Sequence, residues 1–499
     1  MSDQALWLVR HGGRATSATE PRPSDPQCRR RTGDAAPQSI PVARSRCANR
    51  FRFPLAYPFL KHLPRMRWHE AGCVATARVL NVQRMSCEET GRKEALERAF
   101  DESIAVFWKE PTCVLGSKAE KVRILFDNIR RGWKQWERSG PCMYRGCGRP
   151  SVRHSHAIQK SGPLARIAED QHVLSPRPYE RRHLTMQRIG VNLASTFPGF
   201  CEEHELLFAD FEATGQIAST RHLALQGFRT LCGEIARKRH ALEGVEAYLE
   251  TYRKARFRFF DAAIKRVRPS TGLKDLEITG DRLEDYVSSK IQDAKADLQE
   301  LEGELYDELY EYIEGGSVEP CLEALLLPYE VPVSLSGLAS LTYEHAAQTH
   351  HGLCILGIMP QPGSTLAFVG VARRHTVLVE YYMARMRVGF AALNAMEAWM
   401  VNGSDHWFIR PSVWCRLSRP RQVQILKAMM SVRHGIEKFP RFSILDDVRR
   451  QLIGDVLNEL PVGEKERRRA LKYIHGESAK LISSVQGRQQ RRYRGIARY

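Results

Sequence analysis

Between residues 92 and 136 the apolar side chains recur with a helical period. Leu96, Phe100, Ile104 and Phe107 fall at i, i+4, i+8 and i+11, and Ile124, Phe126, Ile129 and Trp133 continue less regularly. Ser139-Gly140-Pro141 ends this lead-in. A second helical stretch, 221–267, carries its stripe on Phe228, Leu231, Ile235, Leu242, Val245, Leu249 and Tyr252. A third, 282–312, repeats Ile291, Leu298, Leu305 and Tyr312 every seven residues, with Ala294 and Leu301 between them, the seam of a coiled coil. The break across 269–280 predicts that the two fold back as a long antiparallel hairpin, a structural arm or a stalk through which a homo-oligomer could form. After Gly315-Gly316 the pattern changes. Segments 322–336, 352–359 and 365–371 are rich in Val, Ile and Leu, are separated by Gly or Pro, and read as strands. Helices are expected over 377–400, 420–430 and 445–460.

Residues 1–84 show neither period. They are rich in Arg, Pro, Ala and Ser, and hold 15 Lys or Arg against 5 Asp or Glu. That is +10 of the formal net charge of +19, so the other 415 residues carry only +9. This segment reads as a disordered basic arm or as translated upstream sequence, with Met66 and Met85 as alternative starts. The positive balance points to a polyanionic partner, and the Arg-rich end, with Arg488, Arg491 and Arg492, reads as a solvated or phosphate-contacting tail. No apolar run has the roughly 18–20 residues of a membrane span, and no secretory leader is visible at Met1. Twelve scattered cysteines suit a reducing cytoplasm rather than a disulfide scaffold.

One cysteine pair stands out. Cys142-Met-Tyr-Arg-Gly-Cys147-Gly sets two thiols on a tight turn, and Cys201-Glu-Glu-His204 sets a thiol and an imidazole on one face of a helix start. Zn²⁺ takes four tetrahedral S and N ligands, so Cys142, Cys147, Cys201 and His204 predict a treble-clef module held by a structural zinc. All four positions are filled by protein, which leaves no place for a zinc-bound water.

Between the pairs lies Arg153-His154-Ser155-His156-Ala157-Ile158-Gln159-Lys160. With the flanking cysteines this resembles the HNH, or His-Me finger, nucleases, in which a DH-I strand follows the first pair and an Asn-containing stretch leads into the second. The resemblance covers about 75 residues. It implies His156 as general base, Asn192 as the residue that orients it, and Glu205 as a ligand of a catalytic Mg²⁺ or Mn²⁺. Arg153 and Lys160 would contact phosphates. Ser155 stands where the family has an acid and Glu205 where it has a histidine, and His154 could substitute as ligand or base. The stretch from Ser155 through Glu212, and the later Phe408-Ile-Arg-Pro-Ser412-Val-Trp414, are also similar to a group of bacterial proteins associated with phage defence.

Other motifs carry less. Arg10-His11-Gly12 resembles the RHG motif of histidine phosphatases, but the triplet recurs as Arg433-His434-Gly435 in a helical context, and the Pro- and Arg-rich segment after Gly12 has no αβ pattern. His345, His350 and His351 lack ligand-like spacing. No phosphate loop, GxGxxG or Gly-x-Ser-x-Gly occurs. The expected fold class is therefore α+β, mainly α. Its parts are a basic arm (1–84), a helical lead-in (85–138), a zinc module (139–215), a helical hairpin (216–316), an α/β domain (317–462) and a basic tail (463–499). The expected function is a metal-dependent nuclease or nuclease-like effector. The competing expectation is a non-catalytic module that binds nucleic acid or protein, and a sensor of a phage component is a third.

Overall fold

The computed structural model describes residues 140–179, 183–271, 282–345, 348–387, 390–430 and 435–459, with shorter pieces at 107, 110–117, 119–121, 123–124 and 463–465. The basic arm, most of the lead-in, the RHG triplet and the tail with Arg488, Arg491 and Arg492 lie outside the described residues.

The second half is strand-rich as expected, but the segment expected at 322–336 is two strands, the second of which runs on to His345. Strands β5 (Leu322–Leu327), β6 (Val333–His345), β7 (Gln348–Gln361) and β8 (Ser364–Val371) pair antiparallel. In β7, Cys354, Ile355, Leu356, Ile358 and Met359 are all fully buried, so both faces of the strand are covered. A strand covered on both faces reads as a continuous apolar run rather than an alternation. Alternate residues serve different cores. Ile355, Met359 and Phe368 join the core on one face, while Cys354, Leu356, Ile358 and Val369 join the core on the other.

The sheet has seven strands, in the order β3-β2-β9-β6-β7-β8-β5. Strands β2 (His172–Tyr179) and β3 (His183–Gly190) form a hairpin from the segment between the two cysteine pairs. The short β9 (Trp407–Ile409) joins this hairpin to β6 through Leu174↔Ile409 and Val333↔Ile409. One sheet thus crosses the sequence boundaries drawn at 215 and 317. Pairing of β2 with β9 stops at one residue pair, because the strand continues through Pro176 and Pro178, which have no N–H to offer a second neighbour.

Between β3 and β5 come α1 (Glu202–Glu205), α2 (Ala209–Thr214), α3 (Thr220–Thr271), α4 (Arg282–Glu300) and α5 (Tyr306–Ile313). The expected antiparallel hairpin is α3 against α4–α5. Lys238 pairs with Asp297, Lys295 with Glu246 and Arg253 with Glu284, partners that run in opposite directions along the two helices. Ile291, Ala294, Leu298, Leu301 and Leu305 are buried in the same core as Leu242, Leu249 and Tyr252 of α3. The heptad seam that could have met a second copy is filled by the chain's own helix. From the lead-in, Phe107 reaches this pair and packs edge-on to Phe260 at 5.0 Å between centroids.

Helix α3 is the central element. A methyl on Gly233 would stand 3.2 Å from Ala157 Cβ of the cysteine module, and one on Gly227 would stand 3.3 Å from Leu322 of the sheet. Two glycines on one helix thus allow close approach on two sides. On the far face of the sheet lie α6 (Thr376–Met386), α7 (Ala391–Ala398), α8 (Pro411–Arg416), α9 (Arg419–Met430) and α10 (Asp446–Glu459). Four of them fall in the segments expected at 377–400, 420–430 and 445–460, the first segment being divided between α6 and α7. No described helix is long and apolar enough to cross a membrane.

Candidate metal centre and the adjoining histidine

The knuckle forms because the chain reverses on glycine. Gly146 has φ 74°, in the left-handed region that side chains avoid, and the Cys147 N–H donates to the Tyr144 carbonyl at 3.1 Å. The Cys142 N–H donates to the Arg149 carbonyl at 2.9 Å and closes the loop. Cys201 caps the N-terminus of α1 in an extended conformation, so its thiol and the His204 ring, three residues on, share one face. The Met143 N–H donates to the Gly199 carbonyl at 2.8 Å and ties the two pairs together.

The four side chains meet. Cys147 Sγ lies 3.9 Å from Cys201 Sγ, and His204 Nδ1 lies 3.5 Å from Cys142 Sγ and 3.2 Å from Cys201 Sγ. All four ligand atoms lie within 4.8 Å of one another. A tetrahedral ion with metal–sulfur bonds of about 2.3 Å and metal–nitrogen bonds of about 2.0 Å would set ligand atoms about 3.5–3.8 Å apart. Three thiols and one imidazole at this spacing fit a metal ion such as zinc. Among the described residues, this is the single group of three or more Cys, His, Asp or Glu so placed.

Two thiols of the cluster differ in acidity, and a metal ion would have to displace the proton of the weaker acid. Burial pushes the Cys142 thiol up to about 11. Burial also opposes ionisation of Cys201, but the His204 backbone N–H and ring and the neighbouring thiols outweigh it and bring Cys201 down to about 7. The His204 ring stacks on Tyr144 at 3.9 Å, and the Tyr306 hydroxyl donates to the Met143 carbonyl at 2.6 Å. Arg145 pairs with Asp307 and lies 5.0 Å from the Tyr310 ring centre. The knuckle is thereby clamped to α5, a contact no sequence pattern announced.

His156 lies on a two-stranded ribbon, β1 (Ser155–His156) with β4 (Thr196–Phe197). Its Nδ1 sits 3.0 Å from the Ala194 carbonyl oxygen, which fixes Nδ1 as the protonated nitrogen of the neutral ring and leaves Nε2 as the lone pair. Burial first, then the charge of Arg229, with smaller effects from Lys160 and His154, push the ring down to about 4. The next residue along the turn, Ser195, adopts φ 62° and is held by two bonds. The Ile158 N–H donates to its hydroxyl at 2.9 Å and the Ala157 N–H to its carbonyl at 2.8 Å. Such a left-handed serine costs about 1 kcal/mol or more and persists only where its surroundings hold it.

The other residues implied by the HNH resemblance are arranged differently. The partner of His156 is the Ala194 carbonyl, and Asn192 lies exposed on the turn before it. Ser155 is fully buried, and its hydroxyl accepts the Phe200 N–H at 3.0 Å. Glu205 accepts from Arg229 Nη2 at 2.9 Å, and the same guanidinium pairs with Glu212. Arg229 is 2% exposed and lies 4.4 Å from the centre of the Phe208 ring. Burial raises the Glu205 carboxyl, and Arg229 works against that rise. Sequence reasoning did not find Arg229. The available signal was its place beside Phe228 on the apolar stripe, where a charged residue needs a buried partner. Arg153, His154 and Lys160 lie exposed near His156, and Arg153 and Lys160 make no ion pair among the described residues. His351, set aside in the sequence, bonds the Thr342 hydroxyl at 2.9 Å.

No family model, no curated protein and no solved structure matches this chain.

Proposed function

We propose that Cys142, Cys147, Cys201 and His204 hold a structural zinc, and that the HNH-like finger built on it binds nucleic acid without cutting it by metal catalysis. The observation that carries this reading is the buried Arg229–Glu205 pair. A catalytic divalent ion needs an open carboxylate or imidazole. Glu205, the position implied for that ligand, has one oxygen on the Arg229 guanidinium, a charge that would repel a second cation, while its other oxygen, Oε1, is without a hydrogen-bond partner. Ser155, at the other implied position, is a buried hydroxyl that accepts the Phe200 N–H and supplies no carboxylate. What remains exposed beside His156 is cationic: Arg153 and Lys160, free to meet phosphates. The positive balance of the whole chain, +19, favours the same partner. A cytoplasmic setting fits the scattered thiols, and a role in anti-phage defence rests on the resemblance of the finger sequence.

One observation favours a second reading, a nuclease with His156 as base. The ring is neutral near pH 7, and the Ala194 carbonyl orients it with Nε2 free. The two readings part in one experiment. Zinc-loaded full-length protein, Arg153→Gln/Lys160→Gln and His156→Ala are assayed for oligonucleotide binding across salt concentrations, and for plasmid nicking and RNA cleavage with Mg²⁺ or Mn²⁺. Binding whose logarithmic salt slope falls by roughly 2 in the double variant, with no cleavage by any protein, is the expected result. Cleavage by the parent and not by His156→Ala would replace the binding reading with the nuclease. Absence of binding at low salt would sink it.

A further inference from the structure

A second polar cluster lies away from the metal centre, in the interior where β2, α3 and the segment leading into β9 converge. Ser175 and Arg177 stand two residues apart on β2, fully buried and 5% exposed respectively. Glu234 and Arg237 come from α3, and Asp405 and His406 from the residues just before β9. Glu234, Asp405 and His406 are all buried. Segments separated by up to about 230 residues of sequence therefore bring four charged groups and a histidine into one interior.

Three donor atoms in this interior lack an acceptor. Arg237 Nη2 donates to Asp405 at 2.7 Å, and Arg237 Nη1 lies 3.2 Å from Glu234 without the alignment of a hydrogen bond. The His406 Nδ1 is satisfied by the Ser336 carbonyl at 2.7 Å. Ser175 Oγ, Arg177 Nε and Arg237 Nη1 are buried without a hydrogen-bond partner. All three can donate, and two belong to guanidinium groups. A buried guanidinium lacking an acceptor bears the full cost of desolvation, which is why native interiors pair such groups. Burial pushes Arg177 down to about 9 and Glu234 up to about 7, so Glu234 is a weak counter-charge near neutral pH. Arg237 has both Glu234 and Asp405 as ion partners, whereas Arg177 makes no ion pair among the described residues. The early end of β2–β9 pairing, imposed by Pro176 and Pro178, leaves β2 unpaired with β9 beside Arg177.

We propose that this cluster binds a small tetrahedral oxyanion, a phosphate group, through Arg177, Arg237 and Ser175. Three donors from two elements suit an anion with several acceptor oxygens, and the forked guanidinium matches phosphate geometry. The group could arrive as free inorganic phosphate or on a mononucleotide, and the chemistry at the donors is the same. This inference is independent of what the finger does.

The test uses full-length zinc-loaded protein in phosphate-free buffer. Inorganic phosphate and adenosine 5′-monophosphate are titrated separately, with binding followed by calorimetry and by the melting temperature. Saturable binding of either, with a matching rise in melting temperature, is expected. If phosphate alone binds, the ligand is the free ion; if the nucleotide binds at least tenfold tighter, the site takes the esterified group. Arg177→Lys should weaken the preferred ligand at least tenfold, since an ammonium loses the fork. Arg177→Met removes the charge that requires the anion, so it should fold in phosphate-free buffer and show no ligand-dependent melting shift. Folded parent protein that binds neither ligand at millimolar concentration, or an Arg177→Met variant that binds as the parent does, would overturn the proposal.

Discussion

Replacing Arg229 with Met tests the central contact of the candidate site most directly. Methionine keeps much of the alkyl volume over Phe208 and removes only the charge and the donors. The guanidinium is 2% exposed, and its partners Glu205 and Glu212 are 22% and 32% exposed. Breaking a fully buried pair from one side costs about 3–5 kcal/mol, because the remaining charge stays buried and unpaired. Here both carboxylates reach some water, which lowers that figure, while the lost cation–π contact adds about 1 kcal/mol. The net expectation is a loss of about 3 kcal/mol. Glu205→Gln alone should cost less, since Arg229 keeps Glu212. The double variant should recover about 1–2 kcal/mol relative to the sum of the single ones, because neither partner is then stranded. Urea unfolding followed through zinc release to a chromogenic chelator reports on this region rather than on the whole chain. A loss under about 0.5 kcal/mol for Arg229→Met, or strict additivity in the cycle, would refute the claim that Arg229 holds Glu205 and sets a charge there that repels a second cation.

Loading the apo protein with Co²⁺ should give the visible bands of a four-coordinate ion and thiolate charge transfer at about one equivalent; Cys201→Ser should diminish the charge-transfer band and weaken metal retention against a chelator. His156 titrates in the folded protein near 4 against a reference of 6.5. As pH falls through 6.5 the unfolded chain takes up the proton first, so the folded state loses stability between pH 6.5 and 4 and nothing further below. For a half-buried ring the loss is about 1–2 kcal/mol after screening, and His156→Gln should lack it; equal losses in parent and variant between pH 7.5 and 5 would contradict the assignment. In the C-terminal helices, Glu397 is 1% exposed and accepts from the Ile444 and Leu445 N–H groups at 2.6 and 2.8 Å and from Arg449. Glu397→Ala should therefore cost at least about 3 kcal/mol, read as a drop in melting temperature, whereas Arg416→Ala, which removes an exposed pair with Asp447, should cost under about 1 kcal/mol.

The sequence by itself determined the elements whose signal is local. Heptads at Ile291, Leu298 and Leu305 announced a helix that must bury one seam, and the run from Leu353 to Met359 announced a strand. The spacing of Cys142, Cys147, Cys201 and His204 announced a group that could hold a metal ion, because a turn and a helix start fix ligand directions within a few residues. The tertiary structure decided everything that depended on which surfaces meet. It placed the hairpin His172–Gly190 in the same sheet as Trp407–Ile409, across more than two hundred residues of chain, because edge strands pair through backbone groups that carry no sequence label. It filled the heptad seam with Leu242, Leu249 and Tyr252 of the same chain, a choice that apolar side chains, being non-directional, leave open. It also set Arg229 against Glu205, and brought Arg177 to Asp405 and Arg237. A charge acts on whatever lies within a few ångströms, and folding, not sequence spacing, sets those distances.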